Sequence, residues 1–290
     1  MVVLLLIVGV VAKYHRWAAW RWSAPSGSAT NLLLGNPSHA TADPADANNL
    51  LLVKPYFALS YNDSTGEPNW VSWVVSPADL GEAPRKGEFD ADSTLPPGFH
   101  MVSEHEYSGS GFDRGHMCPH GDRTANTEMS FATFVMTNII PQAPNVNRKA
   151  WAQLEVYCRE LVRSGHRLYI VAGPDGRGGT GSRGFASSLR DGKVVVPAEC
   201  WKIVVVLPGA GGDDVSRLTG RERVISVEMP NDNDKVGEEW DKFRVAAAQV
   251  EQRTGYKFFD KLPPDIAHQL EIKIDTQYIA PPRPLSHEPD

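Results

Sequence analysis

Short segments rich in β-branched residues recur along this 290-residue chain, and they constrain its fold more than any other feature. Glycine, proline or asparagine bounds each segment, which is typical of strands joined by tight turns. The turn-forming run DSTGEP separates the segments 56–62 and 69–75, so these two are predicted to form a hairpin. Further strands are expected over 133–140, 167–173, 193–197, 201–208 and 223–230, and the segments 193–197 and 201–208 are expected to form a second hairpin.

Two longer segments, 147–165 and 237–255, have the pattern of helices. In the first, the apolar residues Trp151, Leu154, Cys158 and Leu161 recur at spacings of three and four, which places them on one helical face. Both segments end on a glycine, a common residue after the last helical turn. Together with the hairpins, these helices predict an α+β fold in which a central antiparallel sheet is flanked by helices.

The two ends of the chain differ from the middle in composition. Residues 2–12 are continuously apolar, but a helix that spans a bilayer needs about 20 such residues. We expect residues 1–29 to be a truncated signal or a short membrane anchor followed by a linker, with a buried apolar segment as the alternative. The expected location is therefore extracytoplasmic (secreted, periplasmic or membrane-anchored), with membrane contact only through this segment. Residues 30–275 are predicted to form the folded domain and 276–290 a disordered, Pro-rich tail.

The net charge argues against a protein with a general basic surface, and the cysteine content argues against a disulfide-rich fold. The net charge is −6, so no global basic field indicates a nucleic-acid partner, and an anionic substrate would need a local basic site. Between residues 113 and 167 the balance turns basic, with seven Lys or Arg against five Asp or Glu. The three cysteines are too few for a disulfide framework, and one bridge with one free thiol or three free thiols both remain open.

The stretch GSGFDRGHMCPHGDRT at 109–124 carries the densest set of reactive side chains. It has neither helical nor strand periodicity, so it is not expected to form a helix or strand with one face buried in the core. It is suited either to hold a structural metal or to act on a charged substrate. His116, Cys118 and His120 could be three ligands of a structural zinc, but their alternate spacing is unusual for such sites and no fourth ligand is obvious nearby.

This stretch and the segments around it resemble the DNA/RNA non-specific endonucleases, which are ββα-metal nucleases related to endonuclease G. The resemblance rests on DRGH followed by TNIIPQAPNVNRKAWAQLE, and on NWVSW, LPPG, YIVAGP, VPAECWKIVVVL and TGYKFF in family order, over roughly residues 30–275. It implies a ββα-metal finger, cleavage of DNA and RNA that leaves 5′-phosphate ends, and Mg²⁺ as cofactor with Mn²⁺ as a substitute. A non-catalytic nucleic-acid-binding module on the same fold is the alternative. The sequence does not say whether an inhibitor protein exists.

The resemblance assigns the central roles to three residues. His116 has an ordinary pKa near neutrality, which suits a general base, and the family's DRGH histidine activates the attacking water. Asn147 and Glu155 stand eight residues apart on one predicted helix, about 80° around its axis and ~12 Å along it, so both cannot directly ligate one small ion. We expect Asn147 to bind Mg²⁺ directly and Glu155 to act through metal-bound water. The alternatives are an N-cap role for Asn147 and a solvated helix-face charge for Glu155.

Four further residues are candidates for the active site. Arg114 and Arg159 are predicted to stabilise phosphate charge, against the alternatives of a structural pair of Arg114 with Asp113 and a surface pair of Arg159 with Glu155. Arg85 matches a family position that contacts substrate. Asn138 matches a family active-site position, with a turn-forming asparagine as the alternative.

Overall fold

An antiparallel sheet of seven strands runs through the computed structural model, which describes residues 28–85, 87–207 and 215–279. In chain order its strands are β1 (Leu50–Val53), β2 (Ala58–Asn62), β3 (Glu67–Val75), β6 (Arg167–Asp175), β9 (Glu199–Leu207), β10 (Val224–Pro230) and β11 (Arg244–Val245). They lie side by side in that same order, and every neighbouring pair is antiparallel. Two small hairpins lie outside this sheet, namely β4 (Asp113–His116) with β5 (Ile139–Gln142) and β7 (Gly179–Gly181) with β8 (Gly184–Ala186).

The helices pack on both faces of the sheet. They are α1 (Thr127–Ala132), α2 (Ala152–Arg163), α3 (Ala247–Thr254) and α4 (Pro264–Glu271), and a π-helical turn over Val146–Trp151 leads directly into α2. On one face, Trp73, Ile170 and Val204 pack with α2, and on the other Trp70 and Tyr169 pack with α3 and α4. Burial on both sides explains the nearly continuous apolar sequence of these strands. The structure confirms the predicted α+β class and the flanked antiparallel sheet.

The unit formed by β4, β5 and α2 is an insertion between two neighbouring strands of the sheet. β3 ends at residue 75 and its sheet neighbour β6 begins at residue 167, and all of β4, β5, the π turn and α2 falls between them. Met117, Ile139 and Leu154 anchor this unit in the same buried cluster as Trp73. The sheet is therefore the platform on which the ββα unit is held.

The predicted helix 237–255 is wrong over its first half. The structure has a 3-10 turn at Trp240–Phe243, then strand β11, and only Ala247–Thr254 is α-helical. Arg244 and Val245 pair with Val227 and Ser226 of β10, because sheet pairing at this edge outweighs the local helical pattern. The predicted end at Gly255 is correct, since this residue has a φ of 76° after the last helical turn.

Two predicted strands are also wrong. Over 133–140, Met136–Asn138 forms a 3-10 turn and only the residues from Ile139 onward form a strand. Over 193–197, Val195 makes only an isolated bridge with Ser188, so the second predicted hairpin is absent from the described residues. Both segments are buried loops whose apolar side chains belong to the core. A short apolar run alone does not distinguish such a loop from a strand.

The predictions for the chain ends fall largely outside the described residues. The predicted signal or anchor of 1–29, on which the extracytoplasmic location depends, lies outside them except for residues 28 and 29. Of the predicted disordered tail, two described residues contact the fold: Arg244 Nη2 donates to the Gln277 carbonyl at 2.9 Å, and Ile279 packs on the core. Within the described ranges, no helix combines the length and apolar character that crossing a bilayer requires. All three cysteines are buried free thiols.

One buried carboxyl group gives the fold a dependence on pH. Glu67 begins β3 and is only 4% exposed, and its Oε2 atom has no hydrogen-bond partner among the described residues. Burial raises the pKa of Glu67 well above its ordinary value of 4.5. The folded state thus holds this proton at a pH where the unfolded chain has released it.

We expect stability to fall with rising pH through Glu67, and the substitution Glu67→Gln to remove this part of the dependence. The contribution is fully present below the unfolded pKa and is lost as the pH rises through the higher folded pKa, at about 1.4 kcal/mol per pH unit in between. Urea unfolding of both proteins at pH 5 and pH 8 measures it. The variant should gain stability relative to wild type at pH 8, and an equal difference at both pH values would contradict this assignment.

Candidate active site

A cleft of about 1250 Å³ opens beside the β4–β5 hairpin and the start of α2. The hairpin register pairs Asp113 with Gln142 and His116 with Ile139. Gly115 is required there, because a Cβ at this position would lie 2.4 Å from the Gln142 Oε1 atom. The lining of the cleft includes six of the predicted site residues: Arg85, Arg114, His116, Asn147, Glu155 and Arg159. Folding thus brings together residues that span 75 positions of sequence (85 to 159).

Two phenylalanines hold the His116 imidazole in place. Its ring centroid lies 5.3 Å from that of Phe89 and 4.9 Å from that of Phe134, and the side chain is only 8% exposed. The Nε2 atom is buried and has no hydrogen-bond partner among the described residues. No protein group there fixes that nitrogen as a donor or an acceptor.

The same two phenylalanines position two arginines. The guanidinium carbon of Arg114 lies 4.7 Å from the Phe89 ring centroid, and that of Arg85 lies 5.2 Å from the Phe134 ring centroid. Each aromatic ring therefore contacts His116 and also supports a cation. The alternative pairing of Arg114 with Asp113 is not formed, and Arg114 instead lies 3.9 Å from a Glu104 carboxylate oxygen.

The surroundings of His116 keep its imidazole neutral. Burial, followed by the charges of Arg85, His120 and Arg114, lowers the pKa of His116 to about 3. Both effects act in the same direction, because each penalises the imidazolium form. At neutral pH the ring is thus in the form that can accept a proton.

Asp113 orients the Asn147 side chain. The Asn147 amide nitrogen donates to Asp113 Oδ2 at 3.0 Å, while Arg148 holds both carboxylate oxygens at 2.8 and 2.7 Å. With its nitrogen occupied in this way, the amide has its carbonyl oxygen as the remaining ligand atom. The N-cap alternative for Asn147 is wrong, because the helical turn already begins at Val146 and the Asn147 side chain bonds to Asp113.

Glu155 belongs to a mostly buried charge network behind the cleft. Lys202 Nζ lies 3.4 Å from Glu155 Oε1, and Arg159 Nη1 lies 3.9 Å from Oε2 and 3.3 Å from Asp122 Oδ1. Lys202 is 1% exposed and its ammonium lies 4.1 Å from the Trp151 ring centroid. Burial raises the pKa of Glu155, and the charges of Lys202 and Arg159 counteract this. The alternatives of a solvated Glu155 charge and a simple surface pair with Arg159 are therefore wrong.

Asn138 lies beneath the cleft and is not among the residues that line it. Its side chain is fully buried, donates to the carbonyl oxygens of Cys118 and Thr133 at 2.9 and 2.8 Å, and accepts from the Cys118 N–H at 2.9 Å. These bonds tie the segment after β4 to the segment before β5. The interpretation of Asn138 as a catalytic residue is corrected by this geometry to a positioning residue, because its amide does not reach the cleft.

The side chains that converge here fit a hard divalent cation better than zinc. Asn147 offers an amide oxygen and Glu155 a carboxylate, the oxygen ligands that Mg²⁺ prefers, and Mg²⁺ needs few protein ligands because it keeps several waters. Of the proposed zinc ligands, Cys118 is fully buried in the hydrophobic core. Among the described residues, no three His, Cys, Asp or Glu side chains cluster in a way that could hold a metal ion.

Sequence reasoning missed the residues that support the site. Phe89 and Phe134 have the pattern of core residues, and the sequence suggests Asp113 only as a partner of Arg114. Lys202 lies within a predicted strand. A lysine inside the apolar run WKIVVVL is a signal that could have identified a buried cation, since a buried lysine needs a partner.

Comparison with known proteins agrees with this geometry. The model of the family described as DNA/RNA non-specific endonuclease matches residues 34–265. A nuclease of Nostoc sp. is 47% identical over 247 residues, which cover 84% of this chain and 86% of that protein. Human mitochondrial endonuclease G is 29% identical over 208 residues, which cover 70% of this chain and 67% of that protein.

The fold also has a counterpart among solved structures. The crystal structure of the EndoG/EndoGI complex, which addresses the mechanism of EndoG inhibition, contains a chain that superposes with a TM-score of 0.65 at 25% identity. The match covers 83% of this chain and 95% of that one. The similarity therefore extends over the sheet and the inserted ββα unit together.

Proposed function

Because the chain belongs to the DNA/RNA non-specific endonuclease family, we propose that it hydrolyses phosphodiester bonds of DNA and RNA with His116 as general base and Mg²⁺ as cofactor. The chain is a nuclease by family, and the proposal concerns how its own residues perform the reaction. The supporting observation is that one cleft gathers a neutral histidine, two oxygen ligands and arginines.

His116 is proposed to take a proton from the attacking water. Its imidazole is neutral at neutral pH, and the packing of Phe89 and Phe134 fixes the direction in which it accepts that proton. A pKa of about 3 describes the free enzyme, in which Arg85 and Arg114 face the ring without a phosphate between them. A bound phosphodiester anion offsets these positive charges and raises the pKa of His116, so the histidine becomes a stronger base when substrate is present.

Asn147 and Glu155 are proposed to hold the cation, Asn147 directly and Glu155 through bound water. When bound, Mg²⁺ supplies positive charge to a non-bridging phosphate oxygen and to the leaving oxygen. Asp113 fixes the Asn147 amide, and Lys202 holds the Glu155 carboxylate, so both ligands are oriented before substrate arrives.

The arginines are proposed to bind phosphate oxygens. Arg114 and Arg85 rest on aromatic rings, which hold their planar guanidinium groups at the cleft. Arg159 is held by Asp122 and Glu155, and it is proposed to add positive charge near the phosphate from the cleft wall. These contacts reach groups that DNA and RNA share, which is consistent with an enzyme that does not discriminate between the two sugars.

Incubation of plasmid DNA and of RNA with and without EDTA tests the proposal. We expect degradation of both substrates in Mg²⁺ and its loss in EDTA, with recovery when excess Mg²⁺ is added back. Binding of both nucleic acids without cleavage in Mg²⁺ or Mn²⁺ would instead support the non-catalytic binding module. Undiminished cleavage in EDTA would contradict the role of a divalent cation.

A further inference from the structure

An exposed aromatic ring stands on the β7–β8 hairpin, which the proposed reaction does not use. Phe185 on β8 is 73% exposed, far more than is usual for a phenylalanine in a folded domain. The hairpin is short, and Thr180 of β7 pairs directly with Phe185. A single exposed ring is common on protein surfaces, and it indicates a binding site only together with its neighbours.

The backbone around Phe185 is anchored, so the ring is held in a defined place. Thr180 N–H donates to the Asn231 carbonyl at 2.9 Å, and Ser182 N–H donates to the Gly111 carbonyl at 2.9 Å. The ring lies against Gly178, where a Cβ would be only 2.6 Å from the Phe185 Cζ atom. Gly178 also has a φ of 101°, a conformation that other residues rarely adopt. One face of the Phe185 ring therefore packs on the Gly178 backbone, and the other face of the ring is open to solvent.

Exposed arginines flank the β7–β8 hairpin. Arg177, Arg183 and Arg190 are all exposed, and within the described part of the chain none of them forms an ion pair with a carboxylate. Arg183 packs against the backbone of Gly109 and Gly111. A Cβ on Gly111 would lie 2.9 Å from the Arg183 Cβ atom. Arg190 Nη1 lies 3.2 Å from His105 Nε2, a neighbour that adds no negative charge. Among the described residues, this hairpin and its flanks thus combine an exposed ring with arginines that form no ion pair.

The arginine-lined side of this hairpin is continuous with the active-site cleft, and Phe185 stands next to it in the strand without lining either cavity. A smaller cavity of about 340 Å³ lies between the hairpin and the loop before β4, and its lining includes Arg183, Arg190, Ser108 and Gly109. Ser108 and Gly109 also line the main cleft. A chain that leaves the cleft past this loop would reach the hairpin directly.

We propose that the β7–β8 hairpin is an accessory binding site for a single-stranded segment of the nucleic-acid substrate, in which Phe185 stacks on an unpaired base and Arg183 and Arg190 contact flanking phosphates. The combination of an exposed ring with a basic groove is the arrangement by which proteins bind single strands without reading sequence. A base inside a duplex is already stacked on its neighbours and cannot lie on the ring, so the site favours unpaired substrate. This inference depends on the proposed nuclease function only for the identity of the ligand.

Equilibrium binding under conditions that prevent cleavage tests this site. The probes are a labelled single-stranded oligonucleotide and the duplex of the same sequence, in EDTA and in a His116→Ala background. We expect Phe185→Ala to weaken single-strand binding about 5- to 100-fold, the range for loss of one stacked base, and to change duplex binding much less. Phe185→Trp should retain the affinity and Phe185→Leu should lose most of it, because only an aromatic face stacks.

Matched variants separate this site from general surface effects. Phe131 is a 49% exposed phenylalanine on α1 and not on the β7–β8 hairpin, so Phe131→Ala should leave binding unchanged. Arg183→Ala should flatten the log–log salt dependence of single-strand binding by about 0.7, whereas Arg221→Ala, an exposed arginine outside both cavities, should not. Equal single-strand affinity of the Phe185→Ala and Phe131→Ala proteins would overturn the accessory site.

Cleavage assays keep this inference distinct from the proposed function. With His116 intact, Phe185→Ala should slow cleavage of a long single strand through a higher KM, and leave cleavage of a dinucleotide unchanged because that substrate does not reach the hairpin. If wild type cleaves nothing but Phe185→Ala still weakens single-strand binding, the accessory site stands and the catalytic proposal fails. If wild type cleaves and Phe185→Ala changes neither binding nor KM, the reverse holds.

Discussion

Replacement of His116 by alanine is expected to lower phosphodiester cleavage by about 10²–10⁴-fold, the range for loss of a general base. The reason is that no other described group combines a neutral imidazole with a fixed position between Phe89 and Phe134 in the cleft. The measurement is kcat/KM on plasmid DNA and on RNA, and the loss should be similar for both because the base acts on water. Arg85 and Arg114 keep their aromatic supports in this variant, so substrate binding should change little.

Folding and catalysis must be measured separately in this variant. Loss of the imidazole leaves space between two aromatic rings, so circular dichroism and the unfolding midpoint should be recorded beside the rates. His268→Ala is the matched control, because His268 is an exposed histidine on α4, away from the cleft. A folded His116→Ala protein that turns over like wild type would remove His116 from the mechanism.

Replacement of Asn147 by alanine is expected to shift half-maximal activation to Mg²⁺ concentrations at least 10- to 100-fold higher. Loss of an outer partner of a metal ligand already costs about 10–100-fold in affinity or activity, and Asn147 is proposed as the direct ligand. Its carbonyl oxygen is the atom left for the cation, since Asp113 holds the amide nitrogen. The measurement is initial rate against Mg²⁺ concentration, and saturating metal should restore part of the activity.

Glu155→Gln provides the comparison for Asn147→Ala. A carboxylate that acts through metal-bound water affects mainly the reaction step, so this variant should lower the maximal rate with a smaller shift in the Mg²⁺ titration. Asp113→Asn is a further test, because it weakens the bond that orients Asn147 and should also shift the titration upward. Identical Mg²⁺ titrations for Asn147→Ala and wild type would exclude Asn147 as a ligand.

The sequence predicted the sheet well where turn chemistry and two-sided burial agree. The hairpin of β2 with β3 and the strands β6, β9 and β10 were predicted from β-branched runs bounded by turn residues, and the structure has them close to the expected positions. The two wrong strand predictions, over 133–140 and 193–197, have a common physical cause. The apolar side chains of residues 134–136 and 194–196 pack in the core, but the backbone groups of these segments bond to loops, which a sequence pattern does not encode.

The sequence predicts the residues proposed to act on substrate or metal. It predicts much less well the residues that position those side chains. His116, Asn147 and Glu155 stand in a recognisable motif, and the structure brings them to one cleft. Arg123 was counted among the local basic residues, but its buried guanidinium donates to the carbonyl oxygens of Tyr56 and Val74, so it is not available to a substrate. Partners such as Lys202 come from a strand 47 residues beyond Glu155, and only the register of the sheet places them together.

The insertion of the ββα unit between β3 and β6 has a consequence for how the molecule opens. The central strands β3, β6 and β9 have a sheet neighbour on each side, whereas β4 and β5, within the described residues, pair with each other alone. The β4–β5 ladder can therefore open without breaking a bond of the central sheet ladder. Amide hydrogens of β4 and β5 are expected to exchange with solvent through a partial opening at lower free energy than those of β6 and β9, which exchange only when the whole domain unfolds. Because His116 lies on β4 and Asn147 bonds to Asp113 of β4, a bound cation or nucleic acid would slow exchange there selectively.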